Sequence, residues 1–209
     1  MGWWGAIALL MLLAWGGAAL VYWTWRTNEA MDLESSLAAL ALILRILVDA
    51  LGSLHDTWST MIMFVAVLSI LVGNIVAIAQ TNIKRMLGYS TIAHVGFILL
   101  AIYVGTNKGY SAALFYTLTY IVAAAGAFGI IIIMSRRGYE AERLSDFKGM
   151  STRSPWFALM MMFLMFSMAG VPPFVGFFGK LNVIDAALSA GHPGLAVLMV
   201  LASVVGAYY

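Results

Sequence analysis

Cysteine is absent from this sequence, so it can build neither a disulfide framework nor a thiolate metal or iron–sulfur site, and any redox centre must sit on a partner. Charge is nearly as scarce. Asp, Glu, Lys and Arg make up 10% of the 209 residues, hydrophobic residues make up 63%, and the mean hydropathy is +0.97. A soluble domain could not keep that much apolar surface away from water. Metal-ligand spacings, nucleophile triads and phosphate-binding glycine loops are missing too: the glycines from Gly170 to Gly179 lie inside an apolar block and lack P-loop spacing. No stretch of the chain points to nucleic acid as a partner.

What is present is a series of apolar blocks of roughly 17 to 27 residues. About 20 residues at about 1.5 Å rise cross a hydrocarbon core of about 30 Å, so the blocks are membrane spans, with the lipid bilayer as their surroundings. Backbone polar groups in a bilayer must be satisfied internally, which leaves helices or closed barrels. Barrel strands would alternate polar and apolar residues in segments of about ten, and these blocks do not. The expectation is an all-α membrane protein of about seven transmembrane helices, near 3–24, 35–53, 59–80, 86–105, 110–135, 155–188 and 193–209. The first block starts at Gly2 without a basic flank and runs to Trp23, too long for a cleaved signal peptide, so it reads as a retained helix. The last reaches Tyr208-Tyr209 with no polar loop behind it, which reads as the edge of something longer.

The loops give the orientation. Eight of the eleven basic residues, Arg26, Lys84, Arg85, Arg136, Arg137, Arg143, Lys148 and Arg153, fall in the first, third and fifth loops, whereas the other three loops hold Lys108 alone. By the positive-inside rule the odd loops face the cytoplasm or mitochondrial matrix, which puts the N-terminus on the periplasmic or intermembrane-space side. Arg45 and Lys180 remain, and both lie inside hydrophobic blocks.

The block at 155–188, about 34 residues, is too long for one straight crossing and contains Ala169-Gly170-Val171-Pro172-Pro173. Pro172 and Pro173 supply no N–H and clash with the preceding turn, so the helix should break there. Broken helices occur at membrane depth where they are buried in protein or line a water-filled cavity. Lys180 follows two turns later, and a charge near the bilayer centre costs on the order of 3 kcal/mol. Either it is a buried amine that loads and releases a proton, or it snorkels or pairs structurally, for instance with Asp185. His94 lies ten residues after Lys84, about 15 Å along a helix and so near the midplane. It suits a proton relay with Ser90 and Thr91, or it is a neutral packing histidine.

Lys84 and Arg85 open a span, either as topology determinants or with Lys84 as a proton inlet. Tyr116, Thr117, Thr119 and Tyr120 could link His94 to Lys180 through hydroxyls and water, or be packing contacts between helices. Arg45 and Asp49 share a helix face and read as a structural pair, since arginine stays protonated and can only bias a relay. The mixed-sign stretch from Arg136 to Arg153 reads as a solvated loop that could dock a neighbouring subunit.

The string from Gly73 to Phe97, with Asn82-Ile83-Lys84-Arg85 followed by Tyr89-Ser90-Thr91-Ile92-Ala93-His94-Val95-Gly96, resembles the signature of the antiporter-like subunits of proton-pumping NADH:quinone oxidoreductase, respiratory complex I. The string from Phe166 to Lys180, through Gly170-Val171-Pro172-Pro173, is similar to their broken helix with its central lysine. The loop from Glu140 to Gly149 and the segment Ser154-Pro155-Trp156 narrow the resemblance to the subunit N branch, called subunit 2 in mitochondria, in proteobacterial or mitochondrial style.

Covering about residues 35–209, this resemblance implies a membrane-arm subunit that takes part in proton translocation coupled to quinone reduction, in a bacterial or mitochondrial inner membrane. It implies no cofactor on this chain, with NADH, FMN, iron–sulfur clusters and quinone on partner subunits, and other membrane-arm subunits as partners. Residues 35–209 would form the second five-helix repeat of a two-repeat fold, with residues 1–34 an extra helix and loop, and the first repeat on another chain. Matched residue by residue, Lys84, His94 and Lys180 fall on the family's charged or relay positions, and Tyr120 falls where sister subunits often carry a histidine. Ser36 stands where the family has a lysine, about nine residues before Arg45. Two other readings stay open. One is a non-pumping structural subunit of the membrane arm, which Ser36 and the absent repeat suggest. The other is a subunit of a related cation/proton antiporter complex, against which the Glu140–Gly149 loop argues.

Overall fold

The computed structural model describes residues 42, 45–50, 52–135 and 141–209, and these are helical almost throughout. The helix expected at 3–24 and most of the one at 35–53 lie outside the described residues; of the latter a π-helical turn, Arg45–Ala50, and a 3-10 turn, Gly52–Leu54, are described. Among the described residues three helices have the length and apolarity to cross a membrane: α1 (His55–Ile78), α2 (Ile83–Tyr103) and α3 (Asn107–Met134). The block at 155–188 is divided into α4 (Pro155–Ala169) and α5 (Val175–Ser189), and α6 (Pro193–Gly206) follows.

The helices α2 and α3 begin three residues before the expected 86 and 110. Asn82 and Thr106 hold extended backbone there, and their side-chain oxygens accept the N–H groups of Arg85 and Gly109. Each cap satisfies a donor that a helix start leaves orphaned, so the helix can open on polar residues that hydrophobicity alone assigns to a loop.

Close approach of backbones fixes how the helices lie together. A Cβ on Gly96 of α2 would stand 2.7 Å from the Ala66 carbonyl oxygen of α1, and one on Gly73 of α1 would stand 2.6 Å from the Ala93 nitrogen of α2. In a membrane, where association is driven by packing rather than by expulsion of water, small residues at such points let dispersion contacts accumulate. Outward faces remain apolar, with Phe64, Leu68 and Ile75 on α1, Leu118 and Val122 on α3, and Val197, Leu201 and Val204 on α6 all exposed.

The interior divides into two apolar clusters. One gathers Ile70, Phe97, Leu100, Tyr116, Val183 and Met199; the other gathers Ile83, Met86, Leu87, Ala123, Ala127 and Met161. Polar residues stand between the two clusters along α1 (Asn74) and along α2 (Ser90 and His94), and Lys180 of α5 faces them across a shared cavity. These four side chains form one polar layer around that cavity, and the buried Ser59 and Thr117 lie outside it.

The Gly96 contact makes a testable claim. Gly96→Leu would force α1 and α2 apart and should destabilise the detergent-solubilised protein by about 1–3 kcal/mol, the usual cost of overpacking. Gly129→Leu, where a Cβ would meet nothing within 4 Å, should leave the thermal midpoint within error. Equal midpoints for the two variants would refute close α1–α2 packing.

Candidate functional site

The helix break builds the site. At the end of α4, Gly170 adopts a left-handed conformation (φ 86°), and the N–H groups of Val171 and Gly170 donate to the carbonyls of Phe166 and Ser167. This closing motif satisfies two of the last carbonyls. Continuing the helix would bring N–H groups from residues 172 and 173 to the carbonyls of Met168 and Ala169, but both positions are proline and have none to give. The Lys180 ammonium fills that role for Ala169, with Nζ donating to its carbonyl oxygen at 2.9 Å.

Helical side chains lean toward the N-terminus, which is how a lysine in the second turn of α5 reaches back to the break. Its stem lies against Gly170, where an added Cβ would stand 2.9 Å from Cδ, and Nζ sits 5.4 Å from the centroid of the Phe97 ring. Lys180 is 6% exposed. The two half-helices are stitched as well: the Gly176 N–H donates to Ser167 Oγ at 3.2 Å, and a Cβ on Gly176 would run into the Ser167 carbonyl.

His94, also 6% exposed, is supplied by the middle of α2. Its Nδ1 lies 2.6 Å from Tyr116 Oη, and its ring stacks on Tyr120 with centroids 4.4 Å apart. Tyr120 donates to Thr91 Oγ1 at 2.6 Å, and Thr91 donates to the Leu87 carbonyl at 2.9 Å. Spacings of three and four residues put Thr91, His94 and their neighbours on one face of α2, and Tyr116 and Tyr120 on one face of α3.

His94 and Lys180 line a common cavity of about 170 Å³, together with Asn74, Ser90, Phe97 and Tyr209. That is room for several waters, given that one needs roughly 10–15 Å³ and two to four polar partners. A second void of about 10 Å³, bounded by Tyr116, Thr119, Tyr120 and Ser167, lies on His94 as well.

The other expected residues are arranged differently. Lys84, at the second position of α2, donates to Glu142 Oε1 at 3.0 Å, and Asn82 Nδ2 donates to Glu142 Oε2 at 2.9 Å. Backbone bonds from Ile83 to Glu142 and from Leu144 to Thr81 tie the loop after α3 to the start of α2. The lysine therefore marks the end of the bundle, outside the cavity that His94 and Lys180 share. Thr117 and Thr119 bond back to the carbonyls of Ala113 and Tyr116 within their own helix, leaving Tyr116 as the α3 hydroxyl that reaches His94. Asp185 is not the partner of Lys180. It pairs with Lys108 at 2.7 Å on the surface, since a separation of five residues turns it to another face of α5. Arg45 is exposed in its π-helical turn, and the side chain of Asp49 lies outside the described residues.

Two members of the cavity wall were not expected from the sequence. Tyr209 donates to Asn74 Oδ1 at 3.0 Å and can accept from Ser90 Oγ at 3.2 Å, while Asn74 Nδ2 reaches the Ala202 carbonyl at 3.5 Å. The available signal was Asn74 itself, an amide within an otherwise apolar span. Among the described residues no group of His, Cys, Asp and Glu side chains could hold a metal ion.

Known proteins resemble this chain in sequence and fold. Residues 30–206 match the family profile described as NADH:quinone oxidoreductase/Mrp antiporter, TM. The NADH-quinone oxidoreductase subunit N of Thioalkalivibrio sulfidiphilus is 61% identical over 173 residues, which are 83% of this chain and 36% of that protein. A solved chain of respiratory complex I from Thermus thermophilus with bound aureothin is 36% identical with a TM-score of 0.64, covering 72% of this chain and 34% of that one. Another, from the same organism's complex with bound NADH, is 25% identical with a TM-score of 0.72, covering 83% and 37%. The chain thus spans about a third of the length of the relatives it matches. With the profile covering most of its residues, the chain belongs to the NADH:quinone oxidoreductase/Mrp antiporter transmembrane family.

Proposed function

We propose that this chain is part of the membrane arm of a proton-translocating NADH:quinone oxidoreductase, in a bacterial or mitochondrial inner membrane, and that Lys180 and His94 exchange protons within it. One observation carries the reading: a buried lysine whose ammonium donates to a carbonyl freed at a helix break faces the same cavity as a buried histidine. A lysine ammonium can donate a proton, and a neutral imidazole can accept one. Waters in the cavity would bridge the two groups, and Tyr120, stacked on His94, keeps the imidazole in its plane.

Lys84 is assigned the inlet at the basic end of the bundle, with Glu142 beside it as the carboxylate that accepts from it. Arg45 and Asp49 are assigned a structural role near a helix end. The 61% identity to a subunit N supports this reading over a cation/proton antiporter subunit. Residues 35–209 are assigned to the second five-helix repeat, one of about seven spans being broken, and residues 1–34 to a further helix whose start faces the periplasm or intermembrane space. The partners are the other membrane-arm subunits, and NADH, FMN, iron–sulfur clusters and quinone belong to partner subunits. Electron transfer there changes the charge beside this chain; the chain's own part is to hold and move protons.

Substitution of Lys180 separates a titrating amine from a structural cation. In vesicles containing the assembled oxidoreductase, Lys180→Met should lower proton translocation by about tenfold or more. Lys180→Arg should do the same, because arginine keeps the charge but does not release its proton. Recovery of wild-type translocation by arginine would sink the exchange. His94→Gln keeps a polar contact to Tyr116 without titrating near neutrality and should also slow translocation by about tenfold or more, with assembly unchanged. Wild-type pumping in that variant would remove His94 from the path.

A further inference from the structure

Tyr116 touches His94 and the residue next to Lys180. It is 2% exposed, its hydroxyl lies 2.6 Å from His94 Nδ1, and its ring rests on Gly179, the residue before Lys180. A Cβ at position 179 would stand 2.7 Å from Tyr116 Cδ2, so only glycine lets the ring lie this close to α5. We infer that Tyr116 is a positioning residue that couples the Lys180-bearing helix α5 to His94, an inference that rests on the proton-exchange reading above.

Three properties of the contact support this. A buried tyrosine hydroxyl needs a partner, and among the described residues His94 supplies it. A hydroxyl can donate to Nδ1 of a neutral imidazole and accept from Nδ1–H of a protonated one, so the contact persists through a proton transfer. The ring is rigid and wedged between α5 and α2, so a shift of α5 at the neighbouring helix break moves the hydroxyl that holds the imidazole. The other titratable groups around His94 are Tyr120 from the same helix α3, Lys180 from α5 and Tyr209 across the cavity; α1 contributes the amide of Asn74. None of these joins the two helices through a single side chain.

The test uses the assembled oxidoreductase in vesicles, reading proton translocation per complex against pH. Tyr116→Phe keeps the ring on Gly179 and removes the hydroxyl, and should lower translocation about five- to tenfold while moving the midpoint of its pH dependence by about half a unit or more. Gly179→Ala keeps the hydroxyl and displaces the ring, and should give a comparable loss. Because both act through one contact, the double variant should be no slower than the slower single variant. If the two losses multiply, Gly179→Ala acts on Lys180 directly and the coupling is refuted. If Tyr116→Phe reduces only the amount of complex, with the rate per complex and the pH midpoint unchanged, the residue merely packs and the inference also falls. Lys180→Met distinguishes the two levels: if it abolishes translocation while Tyr116→Phe stays at wild type, proton exchange stands and the coupling does not. Wild-type translocation in Lys180→Met would overturn both.

Discussion

Two adjacent prolines withhold the N–H groups that the carbonyls of Met168 and Ala169 would receive in an unbroken helix, and the Lys180 ammonium supplies one of the missing donors. In lipid no water stands ready to do this, so a backbone carbonyl left open must find a donor within the protein. The break and the lysine therefore stabilise each other: the carbonyl gives the charge a place to sit, and the charge makes the break tolerable. Removing either leaves an unsatisfied polar group in a low-dielectric interior, where its desolvation is most costly.

From that point the polar layer organises the bundle. Lys180 stands between an apolar cluster on one side and a second on the other, and the residues at the same level on α1 and α2 are Asn74, Ser90 and His94. Each is held by a hydrogen bond from another element or by a hydroxyl of α3. Glycines at the crossings, Gly96 between α1 and α2 and Gly179 between α5 and α3, allow the backbones to come near enough for those bonds to form. Packing and polar chemistry are thus parts of one arrangement, with the small residues setting the distances over which the polar ones can act.

Much of this was legible in the sequence because the bilayer makes polarity conspicuous. Lys180, His94 and the Pro172-Pro173 pair stand out against long apolar blocks, and their depth follows from counting residues along a helix. Helix starts were less legible: Asn82 and Thr106 signal their role through single hydrogen bonds, which a hydropathy pattern does not register. Pairings between distant residues were not legible at all. Nothing local ties Tyr209 to Asn74, 135 residues away, or decides that Asp185 meets Lys108 instead of Lys180. Which tyrosine reaches the histidine also depends on the rotation of α3, and Tyr116 and Tyr120, four residues apart, were equal candidates before the rotation was known.

The bond between Lys84 and Glu142 also has an order in time. Its carboxylate lies 58 residues later in the chain, so it does not yet exist when α2 first meets the bilayer. At a synthesis rate of roughly 5–20 residues per second, the delay is about 3–12 s. Through that interval Lys84 and its neighbour Arg85 stand at the start of α2 before Glu142 has been made. Only after α3 has been made does Glu142 arrive, and Lys84 becomes one half of the clasp that keeps the loop on the helix.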